Sequence, residues 1–388
     1  MIRIVADADI PNLPRLLGDA GHLTSVPGRD IDAATVKNAD VLLVRSVTKV
    51  NSGLLVDSRV RFVGSATAGV DHVDSEFLRD RGIVFKHAPG SNAESVVEYV
   101  LAAMYSLAVQ SGVRLRERVV GIVGCGNVGG RLARRLVAGG MRVIVNDPPL
   151  EAHGEPFAPG LEISDLVGTV RRADILSLHV PLEREGAHPT YRMMTNELFG
   201  MMRPNAWLIN TSRGPVIDES SLMAHLAKSD AGPAVLDVWD TEPEPSPLLV
   251  NMSRICTPHI AGYSTDARLT GARMIAGAVH RFLGRPVEDA RTDAALKELR
   301  APDTSLPRAE WLHDVIRQMY DIEGESDDFR RRILNSRRPA ETFTQYRRDY
   351  PRRYSFGRYF LDERHVPAEL LDVTRSLGVN VQAPDTQS

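Results

Sequence analysis

The sequence predicts an α/β protein with two series of parallel strands and helices, followed by a smaller α/β tail. Three observations carry this. Short apolar runs alternate with amphipathic pieces over the first ninety residues, and a second series of the same kind begins at Val119. Composition shifts near residue 285, and large apolar residues at helical spacing resume at Trp311. Brief apolar runs separated by amphipathic segments mark strands covered on both faces by crossover helices.

The elements follow in order. Ile2–Val5, Val41–Val44, Phe62–Gly64 and Ile83–Phe85 read as buried strands. Asn92–Gln110 reads as one long helix, with Val96, Val97, Val100, Leu101, Met104 and Leu107 on one side and Ser91 or Asn92 as cap. Strands of the second series are expected at Val119–Val123, Met141–Asn146, Asp174–Leu178, Ala206–Asn210, Val235–Val238 and Ile255–Thr257. Helices are expected at Asn127–Ala138, Ile163–Val167, Thr195–Met201 and Glu219–Ala227. Six strands joined this way fit a doubly wound nucleotide fold. Thr265–Leu283 is a further apolar-periodic segment, and Ala290–Pro307 reads as a linker. Nine of the nineteen Phe and Tyr residues follow residue 318, so the tail is expected to have its own core or to bury itself on a partner. It ends in strand, helix and strand at Arg358–Leu361, Pro367–Leu377 and Val379–Val381.

Composition limits the function. A chain of 388 residues suggests two or three domains at about 150 residues each. Hydrophobic residues at 43% and charged residues at 25% exclude a disordered or fibrous chain. Forty-seven basic against fifty acidic residues leave a net charge of −3, which speaks against a nucleic-acid partner. Arginine pairs in the tail, among them Arg347-Arg348 and Arg352-Arg353, alternate with acids and read as a solvated or dimer-facing surface. Cys125 and Cys256 are too few for a disulfide framework or a cysteine-rich zinc site, and no metal is expected. The first residues carry Arg3, Asp7 and Asp9 where a signal peptide needs an apolar core. Val96–Val109 is interrupted by Glu98 and too short to span a bilayer. The expectation is a soluble cytoplasmic protein without membrane contact.

Gly124-Cys125-Gly126-Asn127-Val128-Gly129 lies between an expected strand and an expected helix, and Asp147 closes the next strand. The first glycine makes a tight turn, the second lets a pyrophosphate approach the backbone, and the third lets helix and strand pack closely. A carboxylate at Asp147 accepts ribose hydroxyls and repels a 2′-phosphate, so the expected cofactor is NAD rather than NADP. Arg213, Glu242 and His259 each follow a different strand of this series. In doubly wound sheets such positions share the carboxyl rim. Their chemistry is complementary: histidine as base for a hydroxyl proton, glutamate to orient it, and arginine to clamp a carboxylate.

These segments resemble the D-isomer-specific 2-hydroxyacid dehydrogenase family. The resemblance rests on Val44–Asn51, Ala66–Asp74, Ala88–Asn92, Val97–Val100, the glycine loop, Val235–Trp239 and His259–Tyr263, and covers about residues 1–285. Arg45–Asn51, Ala68–Asp74, His259–Tyr263 and the tail are similar to members that oxidise 4-phospho-D-erythronate on the route to pyridoxal 5′-phosphate. The resemblance implies a flavodoxin-like substrate lobe at 1–93 and 263–285, a Rossmann NAD lobe at 94–262, and a dimerisation domain at 286–388. It makes Arg213, Glu242 and His259 catalytic. Gly124, Gly126, Asn127, Val128, Gly129, Asp147, Val180, Asp237 and Gly262 fall on cofactor positions, with Asp237 at the nicotinamide carboxamide. Val180 stands where the family has a threonine, so only its backbone can serve. Ser46, Thr67 and Tyr263 fall on substrate positions, and Arg45 and Lys49 flank Ser46 as candidates for the substrate phosphate. The competing expectations are a dehydrogenase of 3-phosphoglycerate or another D-2-hydroxy acid, and a dinucleotide-sensing binding protein.

Overall fold

The computed structural model describes residues 1–154, 157–287 and 295–383. The chain divides into two compact units, one holding Met1–Glu94 and the segment from Tyr263, the other Ser95–Gly262 and the tail from Ala295.

The first unit is a five-stranded parallel sheet of β1 (Arg3–Asp7), β2 (His22–Val26), β3 (Val41–Val44), β4 (Phe62–Ser65) and β5 (Val84–His87). Its order, β2-β1-β3-β4-β5, is flavodoxin-like. β2 was not among the expected strands. It is an edge strand whose residues are half-buried or exposed, so it lacks a continuous apolar run. The helix Thr265–Phe282 closes this unit, burying Ala272, Ile275, Ala276 and Val279 with Ile4, Leu43 and Phe62.

The second unit holds β6 (Val119–Val123), β7 (Arg142–Asn146), β8 (Leu161–Ile163), β9 (Ile175–Leu178), β10 (Trp207–Asn210), β11 (Ala234–Leu236) and β12 (Ile255–Cys256). The order is β12-β11-β10-β9-β6-β7-β8 and every pair is parallel. This is a Rossmann sheet with a seventh strand, and the order in which strands are added switches sides between β6 and β9. The sequence pattern missed β8 and started a helix at Ile163. That helix runs Leu166–Arg172 instead, because the Asp165 carboxylate caps it by accepting from the Gly168 amide at 2.6 Å.

The tail contributes helices Arg308–Met319, Ile322–Leu334 and Pro339–Arg348 and a parallel sheet of β13 (Lys297–Glu298), β14 (Tyr359–Asp362) and β15 (Asn380–Gln382). β13 falls within the expected linker Ala290–Pro307, of which 290–294 lie outside the described residues. The tail does not form a unit of its own, as the boundary at 286 implied. Trp311, Leu312, Val315, Phe356 and Leu361 share one core with Tyr99, Met104, Ile122 and Leu136. The cause lies in the helix Ala93–Ser111. Residues 95–108 are buried without interruption, rather than along one side as expected. A helix buried all round needs cover beyond the sheet beside it. Among the described residues no helix is long and apolar enough to cross a membrane.

Because that core is shared, Trp311→Ala is expected to destabilise the whole second unit by about 3–5 kcal/mol. Urea unfolding followed by circular dichroism checks this. A separate early transition with an unshifted main one would contradict it.

Candidate active site

The glycine loop follows β6 at the point where the strand order switches sides. Gly124 has φ +87°, and a Cβ there would stand 2.7 Å from the His179 carbonyl oxygen and 2.9 Å from the Val180 amide nitrogen. Val180 therefore backs the turn with its main chain. A Cβ on Gly129 would stand 1.9 Å from the Gly124 carbonyl oxygen, so the helix Gly129–Ala138 enters against the turn itself. At Gly126 a Cβ would meet no atom within 4 Å. Gly126 and Asn127 are exposed, and the helix cap Val128 places no side-chain acceptor on the first amides. Open space before uncapped amides fits the pyrophosphate of a dinucleotide. Asp147 accepts from the Cys125 amide at 2.7 Å and from the Leu150 amide at 3.0 Å. Its carboxylate braces the loop from behind, a task the sequence did not suggest. Burial, with the Asp147 charge beside it, pushes the Cys125 thiol up to about 11. His179, bonded through Nε2 to the Ser177 hydroxyl at 2.8 Å, is pushed down to about 3 by burial of its ring and stays neutral.

Three loops at the carboxyl ends of β10, β11 and β12 carry Arg213, Glu242 and His259. Asn210 shapes the first. Its side-chain oxygen accepts from the Ser212 amide at 3.0 Å and hydroxyl at 2.7 Å, and its amide donates to the Arg213 carbonyl at 3.0 Å. A Cβ on Gly214 would stand 1.9 Å from the Trp239 carbonyl carbon, so the Arg213 loop lies directly on the loop after β11. There Glu242 accepts from the Trp239 amide at 3.0 Å through Oε1, and its Oε2 lies 2.8 Å from His259 Nδ1. The pair is partly buried, with side-chain exposures of 33% and 25% for His259 and Glu242. Burial alone would push the Glu242 carboxyl up. The His259 charge and hydrogen bond, the Trp239 amide and the charge of Arg347 outweigh it and hold Glu242 below its ordinary value.

Asp237 is the anchor of the third loop. Oδ1 accepts from the Thr257 hydroxyl and the Ile260 amide, each at 2.7 Å, and Oδ2 from the Ala261 amide at 2.9 Å. Burial pushes its carboxyl up, against the pull of His259 and these donors. The Asp237 carbonyl also takes the His259 amide at 2.6 Å. His259 itself sits in the left-handed region at φ +57°, a conformation that costs a non-glycine residue about 1–3 kcal/mol. Asp237, expected at the nicotinamide carboxamide, thus spends both oxygens fixing the histidine turn.

The remaining candidates lie in the first unit or at its border. Ser46 and Lys49 are exposed, and Thr67, Gly262 and Tyr263 are half-buried. Thr67 bonds the Ser65 hydroxyl at 2.7 Å and the Gly69 carbonyl at 2.9 Å. Arg45 differs from the expectation. It pairs with buried Asp7 at 3.1 Å and with Asp9 at 2.5 Å, so its charge is already engaged.

Comparison with known proteins adds the family. Residues 96–261 match the model of the D-isomer specific 2-hydroxyacid dehydrogenase NAD binding domain. The erythronate-4-phosphate dehydrogenase of Salinibacter ruber is 43% identical over 95% of this chain and 96% of its own. That of Hahella chejuensis is 40% identical over 98% of this chain and all of its own. The chain belongs to the D-isomer-specific 2-hydroxyacid dehydrogenase family. Matches this long include the tail, which such dehydrogenases therefore share with it. A D-lactate dehydrogenase from Aquifex aeolicus, solved with NAD and lactic acid, has a TM-score of 0.61 at 23% identity, covering 73% of this chain and 95% of its own. An NAD-bound 3-phosphoglycerate dehydrogenase from Entamoeba histolytica has a TM-score of 0.62 at 22% identity, with the same coverage. These two show the fold. NAD is the cofactor that the family's domain binds, and the open cradle at Gly126 suits it.

Two positioning residues escaped the sequence reading, Asn210 and Trp239. Each lies within three residues of one that it did single out, and a strand-end asparagine or an indole at a loop start was the available signal. Two expectations follow for this dehydrogenase. Gly126→Ala should leave the melting temperature unchanged while weakening NAD binding at least about tenfold, as titrated by fluorescence, whereas Gly129→Ala should lower the melting temperature. Glu242→Gln should cost stability at neutral pH, and that cost should shrink as the pH falls through and below the ordinary carboxylate range. A carboxylate held below its ordinary value stabilises the fold above that value and loses the contribution on acidification. Urea titrations of both proteins at several pH values test the sign.

Proposed function

We propose that the chain oxidises 4-phospho-D-erythronate to (R)-3-hydroxy-2-oxo-4-phosphobutanoate with NAD, a step supplying pyridoxal 5′-phosphate. The observation that supports it most is the 2.8 Å contact of His259 Nδ1 with Glu242, held on three adjoining strand-end loops beside Arg213. The relatives named above add the substrate.

The chemistry divides between residues. With Nδ1 assigned as donor to Glu242, Nε2 of His259 is the nitrogen left to accept the C2 hydroxyl proton. Glu242 keeps the ring oriented and balances the imidazolium formed. Arg213 clamps the substrate carboxylate through two donors and polarises the growing carbonyl. NAD, when bound, takes the hydride from C2. Gly124, Gly126, Asn127, Val128 and Gly129 hold its pyrophosphate, Asp147 its ribose, and Val180, Asp237 and Gly262 border the nicotinamide end. Ser46, Thr67 and Tyr263 are the substrate-binding residues of the same reading. Lys49 is the better placed phosphate donor, since Arg45 is tied to Asp7 and Asp9. Pairing of two copies through the tail belongs to the same reading and follows from the resemblance and the aromatic tail, while a cytoplasmic location and the absence of a nucleic-acid partner rest on charge and composition.

Purified protein offered 4-phospho-D-erythronate and 3-phosphoglycerate with NAD, with and without an added 2-oxo acid to reoxidise bound cofactor, is expected to prefer the erythronate by nicotinamide absorbance. His259→Asn should lower kcat about 10²–10⁴-fold, the usual worth of a general base. Preference for 3-phosphoglycerate would overturn the substrate but not the chemistry. NAD binding with silence on both substrates would favour a sensing role.

A further inference from the structure

Arg353 follows the tail helix Pro339–Arg348, and its sequence context suggested a surface charge. It is instead 6% exposed, with its guanidinium 4.4 Å from the Tyr320 ring centroid. Its Nη2 donates to the carbonyl of Ala261 and, at 3.4 Å, to that of Ser95. A terminal guanidinium nitrogen carries two hydrogens, one for each acceptor. Both acceptors have a particular place in the chain. The chain passes between its two units after Glu94 and after Gly262, so Ser95 and Ala261 stand at the entrance to the second unit and next to its exit.

Ala261 is held from both sides of the same residue. Its amide donates to Asp237 and its carbonyl accepts from Arg353. Asp237 fixes the turn from the strand side only. Without the second hold, the carbonyl of Ala261 would be a buried acceptor lacking its charged donor, and the turn could rotate about the Asp237 bonds. The surroundings keep Arg353 in place. Buried Glu98 and half-buried Glu325 carry the charges that act on it. Glu325 accepts from Tyr320 at 2.9 Å and from Tyr350 at 2.8 Å, and Glu98 accepts from the Phe356 amide at 2.6 Å. Other tail residues touch the same loops. Phe329 lies 6.2 Å from the Trp239 ring, and the Ser326 hydroxyl accepts from the Cys256 amide at 2.9 Å.

We propose that Arg353 is a positioning residue for the oxidation: by holding the Ala261 carbonyl from the tail, it keeps the His259 turn in its productive geometry. The proposal rests on the assignment of His259 as base. A merely structural arginine would lower the melting temperature and leave the folded enzyme's kcat unchanged.

Arg353→Lys keeps a charge facing Glu98 and Glu325, but its shorter stem does not carry a nitrogen to the Nη2 position that both carbonyls share. Measured on 4-phospho-D-erythronate with saturating NAD, at a temperature where circular dichroism shows the variant folded, kcat is expected to fall about 10²-fold with KM little changed. The pH profile of kcat should shift, and hydrogen exchange in the peptide spanning Thr257–Gly262 should accelerate. Arg353→Met should show the same losses more strongly. A folded lysine variant with wild-type kcat, pH profile and exchange overturns the proposal. So does failure of both variants to fold, which would assign Arg353 to folding alone. A wild-type enzyme inactive on every hydroxy acid would instead remove the functional reading on which the proposal stands.

Discussion

The Asp237 carboxylate lies in the protein interior, where an ionised group is tolerated only if its lone pairs are used. Three donors use them, and all three come from the five residues Thr257–Ala261. The loop after β12 is therefore obliged to curl around one point. The left-handed backbone of His259 is the local cost of that curl, and the ring of His259 is delivered to Glu242 as its result. Lengthening the loop by one residue, or replacing Thr257, would leave a buried charge short of donors. The position of the histidine is set by the needs of another residue's charge, not by its own contacts.

Two close backbone approaches extend this arrangement to the other loops. Gly214 against Trp239 brings the Arg213 loop onto the Glu242 loop, and the Trp239 indole donates to the Thr257 carbonyl at 3.0 Å, joining the Glu242 loop to the His259 loop. The tail then covers the outside. Its helices pack on Trp239, Cys256 and the long buried stretch of the helix Ala93–Ser111. The three strand-end loops and the tail thus form one packed body, in which apolar cover and polar anchoring act on the same few residues.

Much of this was legible in the sequence because its causes are local. Glycine spacing after a strand specifies a turn and an open cradle wherever it occurs. Residues following parallel strands must share a rim, so Arg213, Glu242 and His259 could be grouped before any coordinates. What escaped depends on distant partners. β2 and β8 are edge strands with too little buried surface to leave an apolar run. The periodicity of Trp311, Leu312 and Val315 shows that they are buried but not against what. Arg45 beside Ser46 looks like a free cation until Asp7 and Asp9 are seen to hold it. Arg353 looks like its neighbour Arg352 until it is found between two carbonyls.

Cys125 occupies the middle of the cofactor loop, yet burial and the adjacent Asp147 keep its thiol protonated well above neutrality. The thiolate is the reactive species toward oxidants and electrophiles, so the sulfur is held in its unreactive form. The consequence is chemical durability: a cysteine set in the middle of the dinucleotide cradle adds no oxidation-sensitive point to it.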